Sequence, residues 1–394
     1  MSNPSDLTAS SISLPQADRQ RPFSRQFARK LCLRLLANIE LGSLSLHDGT
    51  EVFRFGNPDD PAHPHAEVHV HDNSLYRQML SGGSIATGEA YMQGHWTSPD
   101  LVAVMRLFSA NMATLDLLES KQSMLVRLGL KLSHSLKRNT REGSRKNISA
   151  HYDLGNDFFQ LFLDPTMMYS AALFETDRTS LEEASIAKLE ELCQQLELHS
   201  DDHLLEIGTG WGGMAIHAAR HYGCRVTTTT ISREQYEYAL QQVQAAGLQD
   251  HVTVLCEDYR NLQGSFDKLV RIEMIEAVGH NFYSNYFQRC SQLLKPSGKM
   301  VIQAITIAPE YFERYRAKAD FIQRYVFPGG FLPSMGKIGD CLGRATDFRL
   351  FHAEDFGSHY ARTLAHWRHN FWNNISQVRL LNFDERFIRT WHYY

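Results

Sequence analysis

The 394-residue chain contains few cysteines and no long apolar run. Its six cysteines are scattered, and no two of them form a C-x-x-C pair, so the sequence indicates neither a zinc site nor a disulfide framework. No apolar stretch approaches the ~20 residues of a membrane-spanning helix, and the N-terminus lacks the apolar segment of a secretory signal peptide. These absences predict a cytoplasmic protein in a reducing compartment.

Net charge is also small, because 40 basic residues stand against 44 acidic ones. The segment from Lys121 to Lys146 departs from this balance, with eight basic residues and a single acid, Glu142. A nucleic-acid site is one explanation of such a stripe, but its interleaved leucines favour a basic amphipathic helix on an anionic bilayer. A solvated helix that links two domains explains the segment about as well. We predict no nucleic-acid partner.

Composition and pattern divide the chain into four segments. Residues 1–20 are rich in Ser, Pro, Asp and Gln and are predicted to be disordered. Residues 21–118 are predicted to form a small α+β domain, and residues 119–146 a basic amphipathic linker. Residues 147–394 are predicted to form one large α/β domain.

Within the small domain, the apolar spacing over Phe23–Ile39 predicts an amphipathic helix. The Asp48-Gly49 pair predicts the turn of a hairpin over Leu44–Phe55. One further helix is predicted over Leu75–Met112.

Four histidines, at positions 63, 65, 69 and 71, raise the question of a metal site. His69 and His71 would share one face of a strand. The sequence shows no acid or cysteine spaced to complete a ligand set, so a polar strand face is the preferred interpretation and no metal is predicted.

The functional interpretation depends on His203–Gly213, with the sequence HLLEIGTGWGG. An apolar run ends there in glycines, and a helical pattern follows. A strand, a glycine turn and a helix begin a nucleotide-binding α/β unit, because glycine lets the backbone adopt positive φ and approach a ligand closely. The spacing differs from the G-x-G-x-x-G of hydride-transfer enzymes, and a lone glycine turn is weak evidence.

Strands and helices are predicted to alternate after this turn. The strands are placed at 203–207, 224–230, 252–256, 266–272 and 299–305, and the helices at 212–221, 233–246 and 281–294. Such alternation predicts a mostly parallel sheet with helices on both faces. Ser232 and Gln235 predict a capping box at the start of the second helix. Gln235 either caps the helix only or also meets a ribose.

Several motifs together carry a more specific signal than the glycine turn. They are LEIGTGWGG at 205–213, TISREQ at 230–235, CEDY at 256–259, IEMIEAVG at 272–279, HYDLGNDFF at 151–159, MMYS at 167–170 and YVFPGGFLPS at 325–334. In combination they resemble the S-adenosylmethionine-dependent cyclopropane fatty acid synthase family, which includes the mycolic acid cyclopropane synthases. The resemblance covers residues 75–394, and the family pattern continues beyond Tyr394, including a last strand.

The resemblance implies a class I methyltransferase (Rossmann-like) fold for residues 147–394. It also implies the transfer of a methylene group across a cis double bond of an unsaturated phospholipid acyl chain, at the inner membrane surface. The protein would then be cytoplasmic and peripherally membrane-associated, and a homodimer is one possible assembly. Three alternatives stay open: methylation without ring closure, N-methylation, and an inactive lipid-binding homologue.

The resemblance also assigns the residues that would contact S-adenosylmethionine. They come from the MMYS motif, the glycine loop and the ends of the following strands: Tyr169, Ser170, Glu206, Gly208, Thr209, Gly210, Trp211, Gly212, Thr230, Ser232, Gln235, Glu257, Asp258 and Ile272. Asp258 is placed to accept a hydrogen bond from the adenine amino group, although an ordinary loop aspartate would fit the same pattern.

Ring closure requires that the transferred methyl group lose a proton. The family places a bicarbonate ion there as the base, and Glu276 and Tyr325 match two of its ligands. Gln303 stands where the family has a histidine, and Ala171 replaces a common cysteine while keeping the backbone amide as a donor. Glu273 is either a supporting partner or a solvated residue.

Aromatic faces can stabilise the carbocation-like centre that the reaction creates. The candidates are Tyr152, Phe159, Tyr169, Trp211 and Tyr325. For any single aromatic residue, packing in the core is the more frequent role.

Overall fold

The computed structural model describes residues 22–112 and 154–394. The segment predicted to be disordered, the basic linker and Tyr152 lie outside the described residues, and so do the boundaries predicted at 118 and 146. Contacts divide the chain into two compact units, Met1–Ala90 with Gly94–Gln122, and Tyr91–Gln93 with Ser123–Tyr394.

The first unit contains a four-stranded sheet and three described helices. In chain order these are α1 (Pro22–Leu36), β1 (Ser43–Asp48), β2 (Glu51–Gly56), β3 (His65–Val70), α2 (Ser74–Met92), β4 (Trp96–Thr97) and α3 (Leu101–Ala110). The strand order is β2-β1-β3-β4, with β1 and β3 parallel and the other pairs antiparallel. The predicted hairpin is confirmed, since β1 and β2 pair across Gly49, whose φ is 64°.

The single helix predicted over Leu75–Met112 is wrong. α2 ends at Met92, and Gly94 follows with a φ of 77°, a conformation that a continuing helix does not allow. The chain then forms β4 before Asp100 starts α3 by accepting a hydrogen bond from the Ala103 amide at 3.0 Å. The apolar periodicity of the sequence continues across Gly94, so the periodicity alone could not reveal the end of the helix.

The second unit contains a five-stranded parallel sheet among its described residues. The strands are β5 (His203–Ile207), β6 (Arg225–Thr230), β7 (Val252–Cys256), β8 (Phe266–Ile272) and β9 (Leu294–Gln303), in the order β7-β6-β5-β8-β9. Every neighbouring pair is parallel. The predicted strands are confirmed, although β9 begins and ends earlier than the sequence suggests.

Helices lie on both faces of this sheet. The described helices of this unit are α4 (Asn156–Gln160), α5 (Leu181–Leu196), α6 (Gly213–Tyr222), α7 (Arg233–Ala245), α8 (Tyr283–Leu293), α9 (Pro309–Ala317), α10 (Phe321–Tyr325), α11 (Met335–Ala345), α12 (Gly357–Asn373), α13 (Ile375–Leu380) and α14 (Glu385–Tyr393). On one face α5, α6 and α7 bury a core that includes Leu189, Met214 and Val243. On the other, α8 and α11 bury Phe287 and Cys341. The predicted parallel α/β architecture is therefore confirmed.

The topology determines where a site can form. The strand order reverses at β5, which lies between β6 and β8. In open parallel sheets ligands bind beyond the carboxyl ends of the strands at such a reversal. Among the described residues, every helix is too short or too polar to cross a bilayer.

Candidate active site

The glycine loop leaves the end of β5 in a conformation that glycine favours. Gly208, Gly210 and Gly212 have φ values of 106°, 53° and 95°. The amides of Gly208 and Thr209 both donate to the Thr229 carbonyl, at 2.9 and 3.1 Å, and so attach the loop to β6. A Cβ atom on Gly208 would lie 2.7 Å from Met274 Cγ, whereas one on Gly210 would meet no heavy atom within 4 Å. Open space therefore adjoins Gly210.

Glu206, the penultimate residue of β5, is a buried carboxylate. Thr228 Oγ1 donates to Glu206 Oε2 at 2.7 Å. Burial raises the pKa of Glu206 to about 8, and the Thr228 hydrogen bond and the charge of Lys188 oppose this rise. Glu206 is thus buried at the edge of the sheet, where Thr228 of the neighbouring strand β6 supplies a hydrogen bond in place of solvent.

The end of β6 arranges its predicted residues differently from the sequence interpretation. Ser232 Oγ accepts from the Gln235 amide at 3.3 Å, which is one half of a capping box. The other half is absent, because Gln235 Oε1 accepts from Thr230 Oγ1 at 2.9 Å instead. The reciprocal capping box is therefore wrong, and Gln235 has a fixed orientation at the carboxyl end of β6.

A cavity of about 220 Å³ lies at the carboxyl ends of β5 to β8. It brings together four of the predicted residues, which are Gly208, Thr230, Glu257 and Asp258. Both carboxylate oxygens of Asp258 accept hydrogen bonds from the guanidinium of Arg260, at 2.8 and 2.5 Å. Ile272, the last residue of β8, lies opposite Gln303 in the sheet.

Arg271 is a cavity residue that the sequence analysis missed. It is 1% exposed, lies with its guanidinium 4.3 Å from the centre of the Tyr286 ring and donates to the Met274 carbonyl. Its Nε and Nη1 atoms have no hydrogen-bond partner in the described part of the chain. An arginine between apolar residues at the end of β8, in the sequence LVRI, was the available signal.

Two of the aromatic candidates are core residues. Trp211 is 4% exposed, donates to Asn156 Oδ1 at 2.6 Å and lies 4.9 Å from the fully buried ring of Phe159. Their packing agrees with the core interpretation. Tyr169 is half-buried against Trp367, with its hydroxyl 2.9 Å from that of Tyr394. Tyr325 is half-buried, with its ring 5.1 Å from that of Phe321.

Ser170 reveals a second missed residue, Lys188. The ammonium group of Lys188 donates to Ser170 Oγ at 2.7 Å, and both side chains are 2% exposed. Burial lowers the pKa of Lys188 to about 8, while the carboxylates of Glu273, Asp164 and Glu206 oppose this shift. Lys188 lies between Ala184 and Leu192 on the buried face of α5, and a lysine at that spacing was the signal.

Glu276 lies just beyond β8, in the short 3-10 helix Ile275–Ala277. Its Oε1 accepts from the Ile305 amide at 2.6 Å, while its Oε2 is buried without a hydrogen-bond partner among the described residues. Burial, followed by the charge of Glu273, raises the pKa of Glu276 to about 7. The Ile305 hydrogen bond and Arg271 oppose this shift.

The two donors that the sequence assigns to bicarbonate contact Glu273 instead. Glu273 Oε1 accepts from the Ala171 amide at 2.9 Å and from Gln303 Nε2 at 2.8 Å. Gln303 Nε2 also donates to the Ala171 carbonyl at 3.0 Å, and Gln303 Oε1 is buried without a partner in the described residues. Glu273 therefore lies in direct contact with two of the predicted site residues.

A separate histidine cluster lies on the sheet of the first unit. His69 Nε2 is 2.8 Å and His47 Nε2 is 3.3 Å from Glu67 Oε1, and the two imidazole rings stack at 4.6 Å. The expectation that no acid is spaced to join these histidines is wrong, because Glu67 shares a strand face with His69 and β1 brings His47 beside them.

Comparison with known proteins decides the family. Residues 139–394 match the mycolic acid cyclopropane synthetase family. This chain belongs to that family. It is 36% identical to the tuberculostearic acid methyltransferase UfaA1 of Mycobacterium tuberculosis over 94% of this chain and 86% of that protein. It is 34% identical to the cyclopropane-fatty-acyl-phospholipid synthase of Escherichia coli over 84% of this chain and 82% of that one.

A solved structure of the family agrees with the fold. The mycolic acid cyclopropane synthase CmaA1, complexed with SAH and CTAB, is 33% identical and superimposes with a TM-score of 0.59. The superposition covers 63% of this chain and 90% of that one. The class I methyltransferase fold predicted from the motifs is confirmed.

The open space beside Gly210 gives the first testable prediction. Gly210→Ala should weaken binding of S-adenosylmethionine by roughly tenfold or more, because a methyl group would enter space that the ligand needs and ~1.4 kcal/mol suffices for that change. Isothermal titration calorimetry measures the affinity. Gly247→Ala is the matched control, since Gly247 also has positive φ, 69°, with nothing near its Cβ position. Equal affinity in both variants would contradict the assignment of the loop.

The buried ammonium group of Lys188 gives the second testable prediction. Lys188→Met should lower the free energy of unfolding by ~3–5 kcal/mol, because it leaves buried carboxylates without their counter-charge. Glu206, with a pKa raised to about 8, is mostly protonated at about pH 7, so the counter-charge that is lost there is the one that acts on Glu273 and Asp164.

Urea denaturation at about pH 7 measures this deficit. Leu192→Met, on the same buried face of α5, is the control for altered packing and should cost less than ~1.5 kcal/mol. A loss no larger in Lys188→Met than in the control would show that Lys188 balances no charge.

Proposed function

We propose that this chain transfers the methyl group of S-adenosylmethionine to the cis double bond of an unsaturated phospholipid acyl chain and closes it into a cyclopropane ring. The observation that carries the proposal is one shared sheet edge. The glycine loop lies there after β5, and Glu273 and Glu276 lie directly after the neighbouring β8. A methyl donor and a proton acceptor would therefore meet at one place.

The relatives support each half of this reaction. The family relative CmaA1 was solved with SAH, which is the form that remains when S-adenosylmethionine loses its methyl group, and with CTAB, a detergent with one long alkyl tail. The similarity to a cyclopropane-fatty-acyl-phospholipid synthase extends over 84% of this chain. Both observations agree with a site in which a long apolar acyl chain lies beside the methyl donor.

The chain's own residues would bind the cofactor at the cavity. Glu257 and Asp258 lie at the end of β7, Gln235 is oriented by Thr230, and the open space at Gly210 adjoins the loop. When bound, the sulfonium of S-adenosylmethionine supplies an electrophilic methyl group. An alkene is a weak nucleophile, so the site must also exclude water, and the aromatic core around Phe159 and Trp211 closes one side of the loop.

Bicarbonate does not fit the described reaction centre as its base. An anion needs hydrogen-bond donors, and the Ala171 amide and Gln303 Nε2 already donate to Glu273. Glu276 Oε2 and Gln303 Oε1, which are buried without partners among the described residues, are acceptors, and the unpartnered donors of Arg271 belong to a guanidinium that lies over the Tyr286 ring. We therefore derive no step through bicarbonate.

Methyl transfer without ring closure is the second candidate. A relative named as a tuberculostearic acid methyltransferase is similar over 94% of this chain. N-methylation and a purely lipid-binding role have no feature of the site in their favour.

Lipid mass spectrometry distinguishes these functions. Purified protein, S-adenosylmethionine and vesicles of a phospholipid with one cis-monoenoic chain should yield a lipid that is heavier by one CH₂ group and lacks its double bond. A product heavier by CH₂ that keeps a double bond or carries a methyl branch would establish the second candidate. No modified lipid, together with measured cofactor binding, would contradict both. Gly210→Ala is the negative control.

Peripheral membrane association is the other part of the proposal, and it rests on the sequence of the basic segment. Reversal of Lys137, Arg138 and Arg141 to Glu should release the protein from anionic vesicles, at ~1 kcal/mol per basic residue near the surface. Co-sedimentation with vesicles at low and high salt measures the binding.

The control variant changes the net charge by the same amount at another place in the chain. Arg220, Arg344 and Arg349 are exposed residues of the second unit, and their reversal to Glu should leave most of the binding intact. Equal effects of the two triple variants, or binding that salt does not weaken, would favour the interpretation of the segment as a solvated linker.

A further inference from the structure

We propose that Glu273 is the general base of this chain. The family resemblance assigns removal of the proton to bicarbonate, whereas here a protein carboxylate would remove it. This inference rests on the proposed function and names the group that completes it. It adds a catalytic residue that the sequence left as either a supporting partner or a solvated side chain.

The hydrogen bonds of Glu273 place its carboxylate where an anion was expected. Its Oε1 accepts from the Ala171 amide and from Gln303 Nε2, at 2.9 and 2.8 Å. The Glu273 amide in turn donates to the Gln303 carbonyl at 2.8 Å, so the residue is joined to β9 through both its main chain and its side chain. Glu273 is half-buried as a residue, next to the cavity residue Met274.

The backbone of Glu273 provides an independent observation. Its φ is 45°, in the left-handed region that glycine adopts without strain and that a glutamate seldom adopts. Strained non-glycine residues of this kind concentrate at functional sites. The strain is tolerated at a position where a carboxylate receives two hydrogen bonds from separate elements.

Neighbouring charges favour Glu273 over Glu276 as the ionised carboxylate. Burial raises the pKa of Glu273, but the Ala171 amide, the Lys188 ammonium group and Gln303 all oppose that rise. The charge of Glu273 further raises the pKa of Glu276, because two adjacent carboxylates resist simultaneous ionisation. A carboxylate whose pKa is raised by burial is a stronger base than an exposed one, which suits proton abstraction.

The proton-transfer step balances without another reactant. The sulfonium methyl carbon bonds to one alkene carbon as its bond to sulfur breaks, and that electron pair stays on sulfur. The second alkene carbon becomes cationic. Glu273 then takes a proton from the transferred methyl group, and the released C–H electron pair bonds to the cationic carbon and closes the ring. The carboxylate becomes a neutral carboxylic acid.

Two variants of Glu273 test this role in the full chain. Glu273→Gln should lower turnover of the cis-monoenoic phospholipid by ~10²-fold or more, because it removes a general base while keeping an acceptor of similar shape. Its affinity for S-adenosylmethionine should change little. Glu273→Gly should fold, since glycine adopts the same φ freely, and it should be equally inactive until bicarbonate is added.

The wild-type protein should be as active in bicarbonate-free buffer as in buffer with bicarbonate. Turnover of Glu273→Gln within threefold of wild type would show that Glu273 only joins the Ala171 loop to β9. A wild-type requirement for bicarbonate would also overturn the proposal.

A binding measurement separates this inference from the proposed lipid activity. Line broadening of ¹³C-bicarbonate by NMR, with SAH present, should show no binding to wild type and binding to Glu273→Gly. Bicarbonate bound by wild type would overturn the inference even if lipid turnover were observed. Absence of lipid turnover together with this binding pattern would instead contradict the proposed lipid function, while leaving the carboxylate in the anion position.

Discussion

The arrangement of the candidate site depends on the interactions of the buried Lys188 ammonium group. This group interacts electrostatically with the carboxyl groups of Glu206, Glu273 and Asp164, and it donates a hydrogen bond to Ser170. Burial of several acids at one sheet edge is unfavourable unless a positive charge compensates them. Because α5 brings this lysine close to the sheet edge, Glu206 near the end of β5 and Glu273 just after β8 can both be accommodated there.

The same edge combines two different chemical environments. On the β6 and β7 side, Thr230, Gln235 and Asp258 are polar groups with fixed partners, as binding of a nucleoside requires. On the β8 and β9 side, Gln303 donates to Glu273, and Gln303 Oε1 and Glu276 Oε2 are buried without partners among the described residues. The glycine loop lies between these halves, so a cofactor that lies along the edge would direct its reactive end to the acidic half.

Local patterns predicted the elements that one strand or one helix determines. The glycine loop, the five strands and the hairpin at Gly49 follow from periodicity and turn chemistry, and all are confirmed. The capping box failed in part because Gln235 had a competing partner in Thr230. The long helix failed because apolar spacing continued across Gly94.

Contacts between distant residues could not be predicted in the same way. Glu273 and Gln303 are 30 positions apart and meet only because β8 and β9 are neighbours, and Lys188 reaches Ser170 from a different element. His47 joins Glu67 and His69 through the parallel pairing of β1 with β3. A motif can identify such residues one at a time, but their hydrogen bonds depend on the strand order.

Transfer of a methyl group followed by loss of one of its own protons is the central claim, and isotopic labelling measures it directly. S-adenosylmethionine with a fully deuterated methyl group can be supplied with a cis-monoenoic phospholipid, and the lipid product can be analysed by mass spectrometry. We expect a product that retains two deuterons of the methyl group and has lost its double bond. A product that retains all three deuterons would contradict ring closure by removal of a methyl proton, and an unlabelled lipid would contradict methyl transfer itself.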